Sequence, residues 1–332
     1  MSNREQARQD SNIERLLKAL YHQKGDRVPN FEIVLEKGFV SFMQGRETQE
    51  NLWTVSPREA LELVRAVGQD AVPCTLSWQA GNGNIQSEQD LASIRFPDLR
   101  QAREKLRSYL EAVQGTRVGV CARFSGILTP AYMSTGPTPI ESFMYMLYDQ
   151  PELVERLLDI QTEYDLRLIE GIQKLPFHMY YIGDDISSTT GPLISPRFIA
   201  ELWAPRMAQI VKAARDTGRP VLFHCCGQLD VILPYLAEWG VNAVHPIQPG
   251  ANDIYEIHKK YGNQLTLTGN MDVAGVLSYG SPDDVRADTR EHIERLSGDG
   301  GYIVCSSHSI IDSVPPENYL AMVEATRQFG RF

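Results

Sequence analysis

Eight runs rich in β-branched and aromatic residues recur along the 332-residue chain, and amphipathic stretches of helical period separate them. The runs span residues 27–34, 70–78, 116–126 and 176–186, then 219–227, 241–248, 265–272 and 301–308. Helical patterns lie at 57–67, 151–174, 196–217, 229–239 and 282–296, and a further one at 13–22 precedes the first run. Three of them open on Ser-Pro (Ser56-Pro57, Ser195-Pro196, Ser281-Pro282). Serine is a good cap, and proline is tolerated at the first helical position because its missing N–H has no partner there anyway. Strand and helix in strict alternation predict a parallel sheet with crossover helices. Eight such units fit an α/β fold, a (β/α)8 TIM barrel. It is read as one domain over 1–332, with 1–26 as an N-terminal helical extension. Pro73 and Arg123 interrupt the second and third runs, so strand boundaries are least defined there.

Composition narrows the class of ligand. With 42% hydrophobic residues the chain can bury a full core, and a net charge of −10 with a pI of about 5.3 gives no attraction for nucleic acid or an anionic membrane surface. The first ten residues are polar and lack a signal-peptide core, and no apolar run is long enough to span a bilayer. Five cysteines, an odd number in a long chain, fit a reducing compartment and thiolate chemistry better than a disulfide framework. A soluble cytoplasmic protein with a small-molecule or protein ligand is expected.

Most runs end in reactive residues: Asp184-Asp185, His224-Cys225-Cys226, His245, Asn270 with Asp272, and Cys305 with His308. In barrels of this type the strand C-termini carry the active site. Along an extended strand alternate side chains share a face, so His224 and Cys226 point together into the lumen and Cys225 points toward the helices. Cys305, at the end of the last run, adds a third soft donor. Three protein ligands with a fourth position open is the pattern of a catalytic Zn2+. The residues alone leave an alternative, since buried cysteine is also a common apolar filler. Cys74 and Cys121, within apolar runs, are expected in the core.

The motifs GDDI (183–186), GPLISP (191–196), FHCCG (223–227), GVNAVHPIQP (240–249), GNMD (269–272) and GYIVCSSHSI with DSVPPEN (301–318) resemble the uroporphyrinogen decarboxylase superfamily, in order and over nearly the whole chain. The resemblance implies a (β/α)8 barrel. Decarboxylases of that group carry an arginine-rich stretch after the first strand and an aspartate whose place falls near Ser77; here RVPNFEIVLEKG (27–38) lacks those arginines. The His-x-Cys with a remote Cys (His224, Cys226, Cys305) instead resembles the zinc-dependent, corrinoid-linked methyltransferase branch. That branch implies zinc as cofactor, methylcobalamin or another corrinoid carried by a partner protein, and a small-molecule methyl donor or acceptor. The alternatives are a decarboxylase of a tetrapyrrole or related acid, and a non-catalytic binding barrel.

The remaining candidates follow from position. Glu32 ends the first run, next to the eighth in a closed barrel, as a catalytic residue or fourth zinc ligand. Asp184 and His245 are candidates for catalytic support, and Asp185, Asn270 and His308 for substrate contact at the mouth. Residues 129–139 read as a long loop suited to a lid or a partner, and Tyr180–Tyr181 as core.

Overall fold

In a computed structural model that describes residues 10–81 and 83–332, seven strands form one parallel sheet in chain order. They are Ala71–Thr75, Gly119–Ser125, Met179–Gly183, Val221–His224, Ala243–His245, Thr266–Thr268 and Tyr302–Ile303. Helices connect successive strands, so the sheet curls into the expected (β/α)8 barrel. The first run departs from expectation, because it forms no regular strand. Its backbone nevertheless closes the ring. The Val304 N–H donates to the Pro29 carbonyl (3.0 Å), the Phe31 N–H to the Val304 carbonyl (3.3 Å), and the Asp70 N–H to the Asn30 carbonyl (3.4 Å). Pro29 has no N–H to give, which shortens this ladder. The two interrupted runs form strands all the same. Ala71–Thr75 runs through Pro73, and Gly119–Ser125 runs through Arg123 because that side chain turns inward.

Strand alternation divides the core in two. Phe31, Ala71, Cys121, Met179, Tyr181, Leu222, Ala243 and Ile303 pack inside the ring. Their neighbours Val72, Cys74, Val120, Tyr180, Phe223, Cys225, Val244 and Val304 pack outward against the helices. Cys225 therefore lies where alternation put it. The extension helix, Ile13–Leu20, presents Ile13, Leu16, Ala19 and Leu20 to the inner group and seals the end of the barrel where the strands begin. It is tied down by Arg15, buried and bonded to Asp70 (2.7 Å) and Asp26 (2.8 Å). Residues 1–9 of the expected extension lie outside the described residues.

The helix signals hold in detail. The Ser56, Ser195 and Ser281 side chains each accept a first-turn N–H. The helices Pro57–Val67 and Pro282–Leu296 match their patterns, whereas the 229–239 pattern shrinks to Leu233–Glu238. The 196–217 pattern breaks into Pro196–Phe198, a π turn at Ile199–Trp203, and Ala204–Asp216. Pro205 cannot donate back to residue 201, and the widened turn absorbs the missing bond. The stretch read as a loop at 129–139 instead forms most of one helix, Leu128–Met133, and the start of another, Pro139–Asp149. Among the described residues no helix is long and apolar enough to cross a membrane.

Leu16 is fully buried in the inner group, so Leu16→Ala should lower the unfolding free energy by about 2–5 kcal/mol. Urea denaturation checks this, and an unchanged midpoint would show that the helix does not seal the barrel.

Candidate metal centre

At the C-terminal mouth His224 pairs in register with Gly183 on one side and His245 on the other. The two imidazoles meet Nδ1 to Nδ1 at 2.7 Å, and Tyr181 Oη lies 3.3 Å from His245 Nδ1. Two ring nitrogens that close need one proton between them. With it on His224 Nδ1, the Nε2 lone pair is left facing Cys226 Sγ and Asp185 Oδ1, each at 3.4 Å. His245 is fully buried, and burial together with His224 keeps its pKa well below the ordinary range, so it stays neutral and can accept.

Asp185 and Cys226 complete a convergent set. One ligand atom from each of Asp185, His224 and Cys226 lies within 4.8 Å of the others. Asp185 Oδ1 also accepts the Cys226 N–H (2.8 Å). Burial opposes the Asp185 charge, but His224, when a proton rather than a metal sits on its Nε2, and the Cys226 amide hold its pKa well below the usual carboxylate range. The Cys226 thiol is pushed up, by burial first and then by Asp185. A carboxylate beside a thiol thus disfavours the thiolate unless a cation joins them, and a divalent ion would reverse both effects. An imidazole nitrogen, a sulfur and a carboxylate oxygen suit zinc. The turn beyond Cys226 needs Gly227, whose φ of +80° and approach to the Ser188 carbonyl leave no room for a Cβ.

The other expected residues distribute differently. Cys305 is fully buried in line with inward-facing Ile303, but its Sγ donates to the Ser306 carbonyl (3.1 Å) and stands outside the convergent set. Glu32 lies beside it, accepting the Ser306 N–H and Oγ–H, both at 2.7 Å. Burial raises the Glu32 pKa to about 8, with the two serine bonds acting against the rise. Asp184, expected to be catalytic, has a structural role instead. Its oxygens accept the N–H groups of Ile127, Leu128 and Thr129 and the Trp203 indole N–H (2.7–3.1 Å). It thereby caps the helix Leu128–Met133 from a neighbouring strand end, and Gly126 gives it clearance. Asn270 binds the Ile247 carbonyl (2.7 Å) and His292 Nε2 (2.9 Å), and lines a separate cleft of about 370 Å3 with Asp272, Asp288 and Tyr255. It does not join the cluster. His308 is exposed, its Nδ1 3.0 Å from Ser309 Oγ.

Two residues of this mouth were not among the candidates. Tyr181, read as core, stacks on His224 (centroids 5.7 Å) and touches His245, and Arg123 lies 5.9 Å from its ring. The alternation that separated Cys225 from Cys226 also separates Tyr181 from Tyr180, and was the available signal.

Residues 74–329 match the sequence family described as uroporphyrinogen decarboxylase (URO-D). The uroporphyrinogen decarboxylase of Neisseria meningitidis is 23% identical, over 94% of this chain and 92% of that protein. The methylcobamide:CoM methyltransferase of Methanosarcina barkeri is 24% identical, over 70% of this chain and 66% of that protein. A solved methyltransferase structure from Methanosarcina mazei superimposes with a TM-score of 0.73 at 21% identity, covering 96% of this chain and 99% of that one.

Two outcomes follow. Asp184→Asn should destabilise the fold, by roughly 1–3 kcal/mol, because four donors lose a charged acceptor, while His224 and Cys226 stay in place. Thermal melting and metal titration of the folded fraction separate these effects. Glu32 is raised in the folded state, so its stabilising contribution is complete below the unfolded pKa near 4.5 and is lost as pH rises toward about 8. In chelator-treated protein, Glu32→Gln should therefore gain on the wild type across that window, by on the order of a few kcal/mol. Parallel stability curves would show that Glu32 ionises normally.

Proposed function

The chain belongs to the uroporphyrinogen decarboxylase family, and from that membership we propose that it is a zinc-dependent methyltransferase, moving a methyl group between a small substrate and a corrinoid carried by a partner protein. The observation that carries this reading is the convergence of His224, Cys226 and Asp185 at the strand ends. Relatives named as a methylcobamide:CoM methyltransferase and a methylated-thiol–coenzyme M methyltransferase support it.

In this reading His224 and Cys226 would hold the zinc; Asp185 converges on them as the structure stands, and Cys305 would become the third protein ligand by turning its thiol from the Ser306 carbonyl. Zinc there would keep a bound thiol deprotonated and nucleophilic at neutral pH, or polarise a leaving heteroatom. The protein's own groups prepare the position. His245 accepts the His224 Nδ1 proton and so fixes the tautomer whose Nε2 is a donor atom. Asp185 fixes the Cys226 backbone by accepting its N–H. Asp184, Trp203 and the helix Leu128–Met133 hold the wall behind them. Glu32 keeps the Cys305 turn in register through Ser306.

The competing enzyme reading is decarboxylation, supported by the near full-length similarity to a uroporphyrinogen decarboxylase. Against it, Arg27, the only arginine in residues 27–38, bonds Asp10 and the Val28 carbonyl rather than facing the mouth, and the mouth carries Ser77 near the place of the family aspartate. Turnover of uroporphyrinogen by metal-free protein would establish decarboxylation. A non-catalytic barrel predicts unchanged ligand affinity in Cys226→Ser and Cys305→Ser.

Purified protein should carry about one zinc per chain and transfer methyl groups from methylcobalamin to a member of a thiol panel. His224→Ala and Cys226→Ser should abolish both, by elemental analysis and by the cobalamin spectrum. In cobalt-substituted protein the sulfur charge-transfer band should fall by about half in Cys305→Ser and persist in Asp185→Asn. Wild-type protein without stoichiometric zinc would end this reading.

A further inference from the structure

We propose that the outer face of the helix Pro139–Asp149 docks a partner protein whose contact surface is apolar and rimmed by lysine or arginine; resting on the reading above, that partner is the corrinoid carrier. Phe143, Met146 and Leu147 pack this helix onto the core, as expected of a helix on a barrel. Its opposite side is apolar too. Ile140, Met144 and Tyr148 are spaced four apart and so form one stripe, with Tyr145 beside it. Met144 is half-buried, while Ile140 is 44%, Tyr145 65% and Tyr148 71% exposed. Tyr148 meets Phe198 edge to face, with ring centroids 5.9 Å apart. Of the eight large hydrophobic side chains exposed among the described residues, four (Met133, Ile140, Tyr145, Tyr148) stand on this helix and the one before it. Single exposed apolar residues are ordinary, but a contiguous group marks an interaction site.

Position ties this face to the mouth. Thr129, in the preceding helix Leu128–Met133, accepts the Asp185 N–H on its Oγ1 (2.8 Å) and gives its own N–H to Asp184 (2.7 Å). Six residues at roughly 1.5 Å each carry that helix about 9 Å to Met133, where the exposed group begins. The patch thus starts about one short helix away from the convergent set. That lies well inside the footprint of one docked protein, about 800 Å2 a side. A partner seated there is placed to serve the same mouth.

Charge selects the occupant. Between Arg123 and Arg156 the chain has no lysine or arginine, but it has four carboxylates, Glu141, Asp149, Glu152 and Glu155, all exposed. Arg156, in the following helix, and Arg197, next to Phe198, are held by Glu88 and Glu201. Such a rim repels an anionic lipid surface or nucleic acid. A second copy docked by the same face sets four carboxylates against four, because a two-fold contact pairs a surface with itself. A different protein with a basic rim gains twice: its apolar centre covers the tyrosines, and its cations meet the acidic edge. Tyrosine is among the side chains that carry most of the energy in such contacts.

The experiment starts from the full chain in its native host, with Tyr145→p-benzoylphenylalanine as a photo-crosslinker, and identifies the captured protein by mass spectrometry. That protein is then purified with its corrinoid and titrated against the chain by calorimetry. The captured protein should carry a corrinoid. Tyr145→Ser with Tyr148→Ser should weaken its binding at least about tenfold. Glu141→Lys with Asp149→Lys should weaken it at least about threefold at low salt. Circular dichroism verifies the fold of each variant, and if the serine pair does not fold, the charge-reversed pair decides. Capture of a second copy of this chain, capture of a protein without a corrinoid, no capture, or full affinity in a folded variant would overturn the proposal. Binding is read without zinc analysis or turnover. A carrier held through these residues by an inactive chain would keep the surface and lose the methyltransferase reading, whereas an active enzyme whose carrier binds both variants normally would do the reverse.

Discussion

A ring of parallel strands turns every second side chain toward one closed axis, and that constraint governs what this protein can do with its polar residues. Below the mouth the axis is apolar. Ala71, Cys121, Met179, Leu222, Ala243 and Ile303 fill it, and the helix Ile13–Leu20 stops its lower end. Only near the strand ends can imidazole, thiol and carboxylate stand on the axis, because only there do they reach water, a ligand or one another. The period of two that puts Leu222 in the core therefore puts His224 and Cys226 at the mouth, on one line.

Neighbouring residues take opposite roles for the same reason. Asp184 and Asp185 are adjacent, the first fully buried and the second partly exposed. Asp184 turns to the wall, where three backbone amides and an indole surround it; Asp185 turns to the lumen, where it meets His224 and the Cys226 amide. The first builds the rim and the second sets the electrostatics of the cluster. Cys225 and Cys226 divide likewise, as do Tyr180 and Tyr181.

Charge within the mouth is unevenly spread. Asp185 supplies negative charge beside two donors that a cation would organise, and Arg123 supplies positive charge on the far side of Tyr181. His245 and Glu32, both fully buried, are held neutral at moderate pH by their surroundings. The result is a lumen with an acidic and a basic pole on either side of the Tyr181 ring.

The pattern of apolar runs and Ser-Pro starts determined the strand–helix alternation, most helix boundaries and the inward direction of His224 and Cys226, because each depends only on local propensity and the fixed period of an extended chain. It also placed Cys74 and Cys121 in the core. Which residues meet was decided by the tertiary structure. Asp185 rather than Cys305 joins the His224–Cys226 pair, since the gap between strand ends depends on how far each strand runs before it turns. Asp184 became a cap because the helix Leu128–Met133, hidden in a Gly- and Pro-rich stretch, begins beside it. Asn270 left the mouth for a neighbouring cleft, and the first run became a seam of three backbone bonds rather than a strand. Arg123 read in sequence as an interruption; only the closed ring shows it to be an inward cation that, among the described residues, has no carboxylate in ion-pair contact. Local chemistry fixes which way a side chain points, whereas the partner it finds depends on contacts between segments tens to hundreds of residues apart.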